Sequence, residues 1–201
     1  MAEESIKKEN LLHKVSGFRK RSLNWKSMGK YLCNIILNIK QTIQFSGLNK
    51  ELTERIMLAV TSVNNCRYCT YFHTKVALES GCTQEEIREL LDGDLSCADQ
   101  EELPALMFAQ HFAESHEQPS RKALKQLVKV YGVKKTQQII TACRMITLGN
   151  LFGNTIDAYA YRYHGIVLKG GSSTLEGLIY YLSAIPAQKL MKTFQRDRSL
   201  T

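Results

Sequence analysis

The sequence predicts an all-α protein: a compact multi-helix bundle followed by a C-terminal helical arm. Three observations predict it. Apolar residues recur at spacings of three and four along most of the chain. No stretch keeps the strict alternation of a half-buried strand. Only three prolines and twelve glycines interrupt 201 residues, too few for a loop-rich or disordered chain. With 44% hydrophobic residues the chain can bury a sizeable core, and its length fits one domain with appendages.

Each helix follows from its local pattern. Over residues 29–47, Leu32, Ile35, Ile36, Ile39 and Ile43 mark one face, and Gly47 stops the run. Leu52, Ile56, Val60 and Val63 repeat the pattern in "LTERIMLAVTSV". Asn64 and Asn65 are good N-cap residues, so a helix is expected from Cys66 to Gly81. Thr83 and Glu86 form a capping box that opens "EEIRELLDG". Pro104 fits only the first turn of "EELPALMFAQHFAE". "SRKALKQLVKVYG" closes at Gly132, and one long helix then runs from about Lys134 to Gly165, with Gly149 and Gly153 four apart. Past "LKGGSS", expected as a flexible joint, Ser173 and Glu176 open a last helix. Leu175, Leu178, Ile179, Leu182 and Ile185 share one of its faces, and Pro186 ends or bends it. This gives a basic extension over 1–29, a helical domain over 30–165 and an arm over 166–201.

Composition restricts the setting. The formal charge of +8 gathers at the ends: residues 1–30 carry a net +5 and residues 186–201 a net +3, on a neutral body. Those ends contain no nucleic-acid-binding module and read as solvated termini. No export signal and no membrane-spanning apolar run are seen, so a cytoplasmic location is expected. In reducing cytosol, paired cysteines point to catalysis or metal rather than to structural cross-links.

The residues that carry chemistry lie in "NNCRYCTYFH", residues 64–73. On a helix Cys66, Cys69 and His73 point the same way. A disulfide between cysteines three apart is strained and readily reduced, which suits a working redox pair. A helix N-terminus favours thiolate at both sulfurs. His73, one turn beyond Cys69, can take up a proton, and Glu54 on the preceding helix can orient it. Two alternatives stand beside this one. Zinc could use Cys66, Cys69, His73 and Glu54, although structural zinc sites usually gather ligands from separate segments, and the cysteines could simply pack. Cys33, Cys82, Cys97 and Cys143 lack a partner motif and read as structural. Asn150 and Asn154, beside the small glycines, can hydrogen-bond across the helix core near the site.

Glu54, eleven intervening residues, then Cys66-x-x-Cys69-x-x-x-His73 resembles the signature of the alkylhydroperoxidase-like (AhpD-like) branch of the carboxymuconolactone decarboxylase family. The resemblance implies an all-helical protomer in a homo-oligomer such as a trimer or hexamer. It implies a thiol-dependent peroxidase without cofactor or metal, re-reduced by an external dithiol or lipoyl-type reductant. Carried over, Cys69 is the attacking thiolate, Cys66 the resolving thiol, and His73 with Glu54 the proton relay. Tyr68 departs from the histidine found before the second cysteine in a known branch. A cofactor-free decarboxylase and a redox-sensing module are the other classes considered; the first needs no cysteine pair. The apolar face of the arm is expected to be covered by a neighbouring subunit.

Overall fold

Ten consecutive residues of one helix, 52–61, are buried, and the three helices that follow it pack against it. The structure is a computed structural model that describes residues 21–37, 47–96, 98–167 and 171–184. Its α-helices are α1 (Trp25–Leu37), α2 (Lys50–Asn64), α3 (Arg67–Glu79), α4 (Gln84–Asp92), α5 (Leu103–Glu114), α6 (Arg121–Tyr163) and α7 (Ser173–Ile179), the last continuing as a π-helical turn, Tyr180–Ala184. No strand occurs among the described residues. The all-α class predicted from periodicity is therefore what the chain adopts.

The described residues fall into two compact units. One runs from 30 to 150; the other joins the residues up to 29 with those from 151 onward. In the first unit α2 packs against α3, α4 and α5. Their core includes Leu52, Ile56, Leu58, Val60, Leu90, Leu106 and Phe112. A helix buried on all sides has nowhere to send a charge. Its two buried charges are accordingly paired: Glu54 with His73, and Arg55 with Glu102 at 2.6 Å and with Glu51 and Glu86 at 2.8 Å each. Burial alone would lower the Arg55 pKa, but the carboxylates of Glu102, Glu86 and Glu51 outweigh it and hold the guanidinium above its ordinary value.

Helix ends follow the sequence signals in part. The Thr83–Glu86 capping box forms, and Gly93 closes α4 in the left-handed region at φ 84°. Pro104 lies in the first turn of α5. Gly132 interrupts α6 at φ 72° and ψ 172°, the break its position predicted. The Cys66–Gly81 helix differs at its start. Asn65 closes α2 in the left-handed conformation (φ 52°, ψ 53°), its N–H donating to the Thr61 carbonyl, and Cys66 is the N-cap of α3. Asparagine adopts this conformation more readily than other non-glycine residues, so it ends one helix here instead of starting the next.

The first and last helices depart further. In α1, Leu32 and Ile36 are 51% and 67% exposed, so the expected apolar face is not covered among the described residues. Ile39, Ile43, Ile185 and Pro186 lie outside the described residues. In the second unit Leu175 and Ile179 are buried while Leu178 and Leu182 are exposed, so the arm covers part of its own apolar face. Glu176 does not cap α7; Ser172 precedes the helix without a side-chain cap. The Glu176 carboxylate is fully buried and accepts from Arg162 Nε at 2.6 Å and Nη2 at 2.9 Å. Gly171, expected in a flexible joint, is tightly packed. A Cβ there would lie 2.1 Å from Glu176 Oε1 and 2.8 Å from Ser22 Oγ. Leu23 N–H donates to Thr155 Oγ1 at 2.8 Å, tying the N-terminal segment into the same unit. Among the described residues no helix is long and apolar enough to cross a membrane.

Candidate active site

The α2–α3 junction assembles the site. Because Asn65 turns the chain sharply, α3 begins against the end of the helix that carries Glu54. Cys66, at the N-cap, has an extended backbone and its Sγ accepts from the Cys69 N–H at 3.3 Å. This bond takes up one of the donors that a helix start leaves open. The Cys66 and Cys69 sulfurs are 2.8 Å apart, in hydrogen-bond contact and not joined by a disulfide. Cys66 is fully buried, whereas Cys69 is partly exposed. Cys69 is thus the more exposed residue of the pair.

His73 stands one turn past Cys69, a spacing that puts Cβ atoms about 5–6 Å apart on one helix face. Its Nδ1 lies 2.7 Å from Glu54 Oε2, with the two side chains 14% and 10% exposed. An ionised carboxylate only accepts, so Nδ1 carries the proton and Nε2 is left as the basic nitrogen. Phe72 meets the imidazole edge-on, with centroids 5.2 Å apart. The four residues singled out in the sequence are thus brought to one junction as two contacting pairs, Cys66 with Cys69 and Glu54 with His73.

The electrostatics differ from expectation at one point. Contact with Cys66, followed by burial, pushes the Cys69 thiol well above the ordinary cysteine range. The helix N-terminus was expected to favour thiolate at both positions. Two touching thiols cannot both ionise cheaply, and it is Cys66 that holds the N-cap position. A thiol titrating at or above 9 is about 1% ionised at pH 7 or less, so Cys69 is held almost wholly as the thiol. Cys143 is raised by complete burial and Cys82 chiefly by burial, which keeps both thiols protonated. Tyr68 accepts from Arg67 Nη2 at 2.9 Å, with the guanidinium 4.8 Å from its ring centre.

Two residues noted in the sequence, Gly149 and Asn150, are neighbours of the site. Gly149 of α6 faces Cys69, and a Cβ built on it would lie 4.0 Å from Sγ. Asn150, suspected of hydrogen bonding across the core, accepts at Oδ1 from Thr61 Oγ1 of α2 at 3.1 Å. Among the described residues no group of three or more His, Cys, Asp or Glu is placed to hold a metal ion.

No curated protein and no solved structure matches the chain. The model of the carboxymuconolactone decarboxylase family matches residues 36–111. Glu54, Cys66, Cys69 and His73 all fall within that stretch.

Proposed function

We propose that the protein is a thiol-dependent peroxidase of the alkylhydroperoxidase-like branch of this family. The observation that carries the reading is the juxtaposition of a contacting cysteine pair with a carboxylate-oriented imidazole one turn away. His73 Nε2 takes the proton of Cys69, and Glu54 stabilises the imidazolium that forms. The Cys69 sulfur attacks one peroxide oxygen. The S–O bond forms from a sulfur lone pair as the O–O bond breaks, and the leaving alkoxide or hydroxide takes the imidazolium proton. Cys66 then attacks the Cys69 sulfenic acid, the S–S bond forms, and the oxygen departs as water. An external dithiol or lipoyl-type reductant restores the pair by exchange. A reducing, cytoplasmic compartment suits that cycle.

Burial and exposure support these roles. Cys69, the partly exposed residue of the pair, is the one a peroxide reaches, and the buried Cys66 waits beside it. A homo-oligomer accounts for the exposed Leu32, Ile36 and Leu37 of α1, at 51%, 67% and 83%. The test is peroxide consumption with dithiothreitol or dihydrolipoamide as reductant. The wild type turns over and Cys69→Ser does not; equal rates in the two contradict the reading.

A further inference from the structure

Gly149 lies within α6, where glycine costs about 1 kcal/mol relative to alanine. Neither of the usual reasons for a glycine applies. Its backbone is not left-handed, and a Cβ there would crowd nothing, meeting within 4 Å only Cys69 Sγ, at 4.0 Å. The missing methyl leaves a hollow at the edge of the sulfur. Beside it Asn150 is fully buried and uses one end of its amide on Thr61. Its Nδ2 has no hydrogen-bond partner among the described residues. Turning the amide over only exchanges which end is left, and a buried polar group without a partner is costly. A space beside a sulfur and a spare buried polar group on the next residue call for the same thing, a small oxygen.

We infer that the hollow at Gly149 receives the oxygen that Cys69 takes from a peroxide, and that Asn150 hydrogen-bonds that oxygen; this rests on the peroxidase reading. As the S–O bond forms and the O–O bond breaks, negative charge grows on oxygen, and a preorganised donor stabilises it without reorganisation. An oxygen bonded to Sγ and directed at position 149 would fall well inside van der Waals contact of a Cβ, so alanine blocks this position while leaving the dithiol in ordinary contact.

The test compares two rates in each variant: oxidation of the reduced pair by hydrogen peroxide, and reduction of the disulfide by dithiothreitol, which places no oxygen on Cys69. Gly149→Ala keeps its fold, since the new methyl makes an ordinary contact and alanine is the better helix former. Its ratio of oxidation to reduction rate falls ~10-fold or more, and Asn150→Ser, which keeps a smaller polar group, lowers the same ratio by ~10-fold. In a Cys66→Ser background Gly149→Ala also slows the appearance of sulfenic acid at Cys69. An unchanged ratio in Gly149→Ala, with the wild type readily oxidised, overturns this inference alone. A wild type that peroxide does not oxidise overturns the peroxidase reading and this inference with it.

Discussion

Glu54→Gln isolates the relay, because it keeps the shape of the side chain and removes only its charge. Glu54 Oε2 and His73 Nδ1 are 2.7 Å apart, and both side chains are at least 86% buried from solvent. Two unit charges whose centres lie about 4 Å apart interact by ~4 kcal/mol at an effective dielectric of ~20. That energy becomes available only when His73 takes the Cys69 proton, so its loss falls on the transition state. At 1.36 kcal/mol per decade, ~4 kcal/mol is about 10³-fold in rate, inside the ~10²–10⁴ range of general-base loss. A glutamine can still present its carbonyl to the Nδ1 proton, so stability changes little, by about 1 kcal/mol. The assay is kcat/KM for peroxide at pH 7 with saturating dithiol, with thermal melting as a control. Glu54→Gln and His73→Ala each lose ~10²–10³-fold. The double variant loses no more than the worse single, because the two act as a unit. Activity recovers partly at higher pH, where hydroxide ionises Cys69 unaided. Wild-type kcat/KM in Glu54→Gln across pH 6–8, or multiplied losses in the double variant, would refute the reasoning.

Other consequences follow from the packing. Asn65→Val forces a β-branched residue into a left-handed conformation and costs ~1–2 kcal/mol, whereas Asn65→Gly stays within ~0.5 kcal/mol; equal melting temperatures would contradict this. Arg162 is 31% exposed but Glu176 is fully buried, so removing the arginine strands a carboxylate. Arg162→Met should cost ~3–5 kcal/mol in urea unfolding and Glu176→Gln about half that, and the reverse order would show that the pair is not what stabilises the arm. The Thr83 backbone N–H, with further help from the Thr83 hydroxyl and Arg55, holds the Glu86 carboxyl below its ordinary range. A depressed folded value gives stability that is present above the unfolded value, near 4.5, and is lost as pH falls through the folded one. Glu86→Gln, which cannot ionise, should flatten that part of the acid-unfolding curve, and an unchanged curve would remove Glu86 from the account.

What was legible in the sequence was what a single helix or turn encodes. The capping box at Thr83 and Glu86, the break at Gly132 and the Pro104 start are local signals, and each appears where its chemistry places it. The candidate site was legible for a related reason. Cys66, Cys69 and His73 lie within eight residues, and Glu54 sits one short turn away, so helical spacing alone nearly brings them together. Contacts between distant segments left no such trace. Arg55 reaches Glu86 and Glu102 across 31 and 47 residues, and nothing in "LTERIM" announces a helix buried on every side. Glu176 looked like a cap because it lies three residues after a serine; its real partner, Arg162, is 14 residues upstream. The thiolate expectation went astray over a contact that residue types cannot show. The dipole argument treats each cysteine separately, but the sulfurs touch, and the proton they compete for decides the titration.

The central claim is that Cys69 is oxidised first and that Cys66 completes the disulfide. One equivalent of peroxide added to reduced protein, followed by thiol blocking and peptide mass spectrometry, tests it directly. The wild type should yield a single cross-link, Cys66 to Cys69, with Cys82 and Cys143 untouched. Cys66→Ser should gain one oxygen at position 69, trapped as sulfenic acid, and Cys69→Ser should remain reduced. Oxidation confined to Cys66 in the Cys69→Ser variant, with Cys66→Ser inert, would contradict the account.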